Sequence, residues 1–195
     1  MSSDTGSPTK QKSRGRPVSQ DSRQCSQVEG NLLQTERLTL REVPVDEVRA
    51  IVEGRRVDGA RWADGYPFDG TIGGAKLVLR MVDTNTYRPG FGIYQVIERL
   101  TGEVVGDIGF HSAPNEHGSV EIGYGLVPGY RHRGIATEAT GALVVWALEQ
   151  PRVNAVWAET VESNVSSQNV LAKTGFELLS ADGELRRYVR RRTTS

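Results

Sequence analysis

"GYRHRGIATEAT", residues 129–140, crowds Arg131, His132 and Arg133 against a bare glycine, Gly134, and then runs into small residues that open an apolar helix. The start of a helix carries backbone N–H groups with no intrahelical acceptor, and the positive end of the helix dipole lies there too. Cationic side chains beside such a start, with the Cβ removed at Gly134, suit a ligand carrying several phosphates. Taken alone, a glycine-containing helix start with charged surface residues accounts for the stretch equally well. The flanking sequence has to decide.

Working outward, "SVEIGYGLV" (119–127) alternates as a strand and feeds the junction through Pro128. On the far side, Ile135, Ala139, Ala142, Leu143, Trp146 and Ala147 recur at helical spacing, which predicts one long helix over 134–149. Upstream, "RLTLREV" (37–43) reads as a strand and "VDEVRAIVEG" (45–54) as an amphipathic helix stopped by Gly54. "DGARWADGYPFDG" (58–70) reads as an irregular aromatic loop and "GAKLVLRMVD" (74–83) as a second helix. "GIYQVIER" and "VVGDIGFH" form a hairpin turning near Thr101-Gly102, and "APNEHG" turns the chain again. "VNAVWAET" is a strand, "SSQNVLAKT" a helix, and "GFELLS" and "ELRRYVRR" are strands. The sum is a mixed α/β domain, antiparallel first, then a strand–helix–strand crossover.

Composition narrows the class. The 195 residues suffice for one domain and a tail, with 37% hydrophobic and 25% charged residues, an ordinary globular balance. Lys plus Arg and Asp plus Glu both number 24, so net charge recommends neither nucleic acid nor a membrane surface. The single cysteine, Cys25, has no partner for an internal disulfide. With no secretion signal in the sequence, a reducing cytoplasm is the expectation. The longest apolar run, "ALVVWAL" (142–148), has seven residues against the roughly 18 of a membrane span. Residues 1–30 are Ser-, Gln-, Gly- and Pro-rich, with almost nothing to bury, and are expected to be a disordered tail preceding a domain over 31–195.

Other phosphate and catalytic motifs fail. "GYGLVPG" (123–129) has the wrong spacing for a dinucleotide fingerprint, and Pro128 stands where a helix should begin. Lys173-Thr174 lacks the preceding glycine of a Walker loop, and no G-x-S-x-G elbow exists. His111, His117 and His132 show no metal-ligand spacing and read as surface or turn histidines, so no metal is expected.

Arg131-His132-Arg133-Gly134-Ile135-Ala136 resembles the Gln/Arg-x-x-Gly-x-Gly/Ala signature of the GNAT acyltransferase superfamily at this strand-to-helix junction. "SNVSSQNVLAKTGFE" is similar to a second block of that family, with Asn164 followed eleven residues later by Gly175-Phe176. "TERLTLREV" and "EIGY" resemble the branch of ribosomal-protein N-terminal acetyltransferases, and the likeness runs over roughly residues 33–192. The resemblance implies a mostly antiparallel sheet of six to seven strands, flanked by about four helices and splayed between its fourth and fifth strands. It implies acetyl-CoA as co-substrate and a primary amine as acceptor, either a protein N-terminus or a small molecule. A monomer or homodimer is expected.

The resemblance also distributes roles. The diphosphate would lie on the N–H groups of residues 132–137 (His132, Arg133, Gly134, Ile135, Ala136, Thr137), reinforced by Arg131 or Arg133. Pantetheine would pair along the strand edge at Leu126 and Val127, with the Leu126 N–H a candidate oxyanion donor. Asn164 would hydrogen-bond the pantetheine arm or hold the parted strands. Glu121 occupies the strand on which several members carry a general base; a surface-facing strand carboxylate is the plain alternative. Many members place a thiolate-protonating tyrosine seven residues after the motif asparagine, but here that residue is Leu171. Ser167 matches a serine of the ribosomal-protein branch and is the substitute acid, unless it merely serves the first turn of its helix. Trp62, Tyr66 and Phe68 are candidates to line the acceptor pocket, unless the aromatic loop simply tucks onto the core. Two other classes stand beside this one: a non-catalytic acyl-CoA-binding module, and a nucleic-acid-binding protein using the Arg-rich ends.

Overall fold

The computed structural model describes Met1, residues 31–57 and residues 59–193; the expectation for residues 1–30 falls outside the described part. The elements run β1 (Leu32–Gln34), β2 (Leu38–Glu42), α1 (Val45–Val52), β3 (Arg61–Trp62), α2 (Asp69–Asp83), β4 (Ile93–Glu98), β5 (Glu103–Phe110) and β6 (Ser119–Leu126). A 3-10 turn (Pro128–Tyr130) then leads to α3 (Ile135–Glu149), β7 (Ala155–Val161), α4 (Val165–Lys173), β8 (Glu177–Asp182) and β9 (Leu185–Arg191).

The strands order as β1-β2-β4-β5-β6-β7-β9-β8, with β3 pairing β5 off this path. All neighbours are antiparallel except β3 with β5 and β6 with β7. The sheet has nine strands rather than six or seven, because short β1 and two-residue β3 add to the long ones. Neither is long enough to show a period of two in the sequence. Counting only long strands, β6 and β7 are the fourth and fifth, and the splay is there as expected. They pair only at Ser119↔Ala155, Val120↔Val156 and Glu121↔Trp157, after which β6 stays with β5 and β7 with β9.

Each sheet face buries its own core. Val43, Val48, Ile51, Ala75, Val78, Met81 and Ile93 pack α1 and α2 on one face. On the other, α3 presents Ile135, Ala139, Leu143, Val144 and Ala147, all buried, with Trp146 packed on Phe91 and Phe110. Burying several such aliphatic and aromatic side chains, at about 1.5–3 kcal/mol each, is what holds α3 against the sheet.

Helix α2 begins at Asp69 rather than near residue 74. Gly70, Gly73 and Gly74 lower its intrinsic propensity and mask the start. One capping bond and one tertiary bond offset that cost. The Phe68 N–H donates to Thr71 Oγ1 (3.4 Å), and the Thr71 hydroxyl donates to the buried Asp107 carboxylate on β5.

Candidate active site

Where β6 and β7 part, one edge of β6 loses its partner. The Val127 N–H donates to Val105 O (3.0 Å) and the His111 N–H to Glu121 O (3.0 Å), so the odd-numbered residues of β6 bond toward β5. By alternation, the backbone groups of Tyr124 and Leu126 point into the gap. The Leu126 carbonyl accepts from Arg131 Nε (3.0 Å), while its N–H faces the opening.

A groove of about 570 Å³ runs from this edge to the start of α3. Leu126, Arg131, His132, Gly134, Ile135, Ala136, Thr137, Asn164 and Ser167 line it, which brings together nine of the residues singled out from the sequence. Val127 is buried with its N–H committed to β5, and Arg133 stacks over Tyr130 at 4.9 Å, so neither lines the groove. Gly134 caps α3 with φ +78°, a left-handed conformation that costs any residue with a Cβ. Arg37 braces this start: Nη1 donates to Arg133 O (3.0 Å), and Nε donates to Glu138 Oε2 (2.7 Å). Burial raises the Glu138 pKa, but hydrogen bonds from Thr35 and Arg37 outweigh that and hold it below the usual carboxylate value. Ser166, Asn169, Val170 and Lys173 also line the groove. The sequence reading missed these four. Their spacing of three, one and three marks one face of α4, which was the available signal.

At the lip of α4, Asn164 acts as its N-cap, its Oδ1 accepting from the Ser167 N–H (3.1 Å). Ser167 Oγ lies 2.9 Å from the Tyr124 hydroxyl. Leu171 is fully buried and belongs to the core. A phenol arrives from β6. Burial raises the Tyr124 pKa, and the Ser167 hydrogen bond pulls the other way.

A second cavity, about 240 Å³, opens on the α2 face of the same strands. Its floor follows from register: Asp107 pairs with Gly125 and Gly109 with Gly123, while His111 faces Glu121. Side chains two apart share a face, so three glycines clear space between Asp107 at one end and His111–Glu121 at the other. His111 Nδ1 lies 3.0 Å from Glu121 Oε1. Desolvation pushes the Asp107 carboxyl up to about 7, opposed by the Thr71 hydrogen bond. Tyr124 and Gly125 line both cavity and groove.

The three aromatics separate. Phe68 lines the cavity and lies over Gly125, where a Cβ would stand 2.5 Å from its Cζ. Tyr66 is buried and Trp62 lies in β3, edge-on to Tyr66; neither lines the cavity. Trp62 Nε1, Tyr66 Oη and Gln95 Nε2 are buried without a hydrogen-bond partner among the described residues. Asp107 and His111 were not recognised from sequence. His111 read as a turn histidine, and the register that turns it toward Glu121 was not legible. No described group of three or more His, Cys, Asp or Glu is placed to hold a metal ion, and no described helix is long and apolar enough to cross a membrane.

A sheet parted beside a glycine-capped helix start, with a cavity on the opposite side of the parted strand, is the architecture of an acetyltransferase fold. Residues 37–177 match the family described as acetyltransferase (GNAT) domain, and the chain belongs to that family. It is 30% identical over 161 residues to the uncharacterized N-acetyltransferase YoaA of Bacillus subtilis (strain 168), covering 81% of this chain and 88% of that one. It is 26% identical over 166 residues to the uncharacterized N-acetyltransferase YjdG of the same organism, covering 81% and 96%. RimL, a ribosomal L7/L12 alpha-N-protein acetyltransferase solved with coenzyme A, shares the fold at TM-score 0.60 and 16% identity, covering 83% of this chain and 98% of that one. The protein is an acetyltransferase.

Proposed function

We propose that the protein transfers an acetyl group from acetyl-CoA to a primary amine, on a protein N-terminus or a small molecule, by direct attack within a ternary complex. The observation that carries this reading is the meeting of groove and cavity at Tyr124 and Gly125, so that donor and acceptor approach one strand from two sides.

In this reading the diphosphate rests on the N–H groups at the start of α3, with Arg131 and Lys173 supplying positive charge. Pantetheine pairs with the free edge of β6 as an added strand. The amine lone pair attacks the thioester carbon from the cavity, and the oxygen takes up charge beside the Leu126 N–H. Collapse breaks the C–S bond, and the thiolate is protonated at the Ser167–Tyr124 pair. Glu121 serves the amine side. Phe68 shapes the acceptor space, whereas Tyr66 and Trp62 support it from behind.

The cavity's ionisable lining is Asp107, His111 and Tyr124, with no lysine or arginine, which favours a cationic acceptor over an acidic one. The test is an acetyl-CoA consumption assay over N-terminal peptides, lysine peptides, polyamines and aminoglycosides, with the product identified by mass. A rise of one acetyl on an amine, matched by released CoA, supports the reading. Binding of acetyl-CoA with no acceptor-dependent turnover across the panel would contradict it.

A further inference from the structure

Resting on that reading, we propose that His111 takes the proton from the acceptor amine, and that Glu121 acts through His111 rather than on the substrate. Three geometric facts carry this. His111 Nδ1 lies 3.0 Å from Glu121 Oε1, so Nδ1 is the nitrogen turned to the carboxylate and Nε2 the one left for the cavity. Nε2 lies over Gly123, 2.6 Å from where a Cβ there would stand, and His111 lines the cavity. Gly123 is two residues beyond Glu121↔Trp157, the last pair before the strands part, so the imidazole stands at the vertex of the gap.

Exposure separates the candidates. A base must also release its proton on every turnover. The His111 side chain is 42% exposed, so water can take the proton from it. Glu121, at 25%, has an oxygen committed to His111. Asp107, two alternate residues back along β5, is buried with one oxygen bonded to the Thr71 hydroxyl, which suits it to hold rather than to pass a proton. The charged or titratable groups around the imidazole are Glu121 on β6, Asp107 on β5 and Tyr124. From α2 the lining residues are Gly70 and Gly74, and from β4 Ile93, none of them ionisable.

The step balances without a further reagent. An acceptor ammonium gives one proton to Nε2, and the freed lone pair forms the C–N bond as the carbonyl pair moves to oxygen. When the C–S bond breaks, the second nitrogen proton ends on the thiol. The products are the amide, CoA-SH and one proton, which leaves from His111 to water. Glu121 stabilises the imidazolium while it holds that proton.

His111→Asn tests this, because the Asn amide can still donate to Glu121 while Nε2 is lost. For an alkyl amine that enters protonated, kcat/KM should fall by about 10²–10⁴-fold near neutral pH, with acetyl-CoA affinity nearly unchanged. The residual rate should climb with pH as solution supplies neutral amine. Imidazole added to His111→Ala should restore part of the lost rate. Glu121→Gln should cost less than His111→Asn, because the carboxylate positions the imidazole and does not itself take the proton. Equal activity of His111→Asn and wild type from about pH 6 to 9 would overturn the assignment. So would a larger loss in Glu121→Gln, or removal of the acidic limb of the pH profile by Asp107→Asn. If wild type binds acetyl-CoA but acetylates no amine, the amine reading itself fails and this assignment falls with it.

Discussion

Leu171 is fully buried, and the hydroxyl beside Ser167 comes from a strand instead of from α4. Burial keeps the Tyr124 phenol protonated while making it a weaker acid, so its placement 2.9 Å from Ser167 Oγ, rather than its acidity, is what suits the pair to relay a proton. Removing either partner should therefore damage one shared step. Tyr124→Phe and Ser167→Ala are each expected to lower kcat by about 10²-fold while acetyl-CoA affinity stays close to wild type. The double variant should be little worse than the weaker single one, the mark of residues acting as a unit. Additive losses would show that they serve separate steps. The sequence offered Ser167 only through its match to a serine of the ribosomal-protein branch. It hid Tyr124, because a strand tyrosine next to two glycines gives no sign of which helix will meet its hydroxyl.

At the scale of elements, the start of α3 is the most legible feature of the chain and also the most constrained. Arg131 to Ala136 suggested an anion site only once its likeness to a known signature was added to its spacing, and the structure places Gly134 at φ +78° with Arg37 bonded to the residue before it. Gly134→Val is thus expected to do two things. It should weaken acetyl-CoA binding at least tenfold, and it should lower thermal stability by strain of about 1–2 kcal/mol in a left-handed conformation closed to β-branched residues. Calorimetric titration and a melting curve measure the two separately; wild-type affinity would remove the diphosphate from this site. Arg37, by contrast, was invisible in sequence, because its partners Arg133 and Glu138 lie about 100 residues away. The same limit hid the acceptor cavity. Asp107, Gly109 and His111 alternate visibly on one strand, and Glu121, Gly123 and Gly125 on the next. Which residue faces which depends on an eight-residue connection that the sequence does not fix, held here by Asn115 Oδ1 accepting from the N–H groups of His117 and Ser119.

Over the whole molecule, the buried carboxylate leaves a thermodynamic signature. Burial raises Asp107 from 3.8 to about 7, so between those values the folded protein holds a proton that the unfolded chain has released. Stability should therefore fall as pH rises through this window and level off above it, by up to about 1.4 kcal/mol per pH unit at its steepest. Asp107→Asn keeps an acceptor for Thr71 and removes the charge. Its stability relative to wild type should rise from about pH 4 to pH 7, read by denaturant unfolding at several pH values. A constant difference would mean that Asp107 ionises normally. Glu138 acts in the opposite sense and in a separate window, since its lowered pKa gives stability that is lost only as pH falls below about 4.5. Its partial exposure screens that contribution.

The proposed division of donor and acceptor between the groove and the cavity on two sides of β6 leads to one kinetic consequence above the rest. Initial rates measured over a matrix of acetyl-CoA and amine concentrations, with the acetylated amine quantified directly, should give intersecting double-reciprocal lines and one acetyl-amine per CoA released. Parallel lines with an acetyl group trapped on the protein would show that the chain itself carries the acetyl group, and would contradict direct attack across the parted strands.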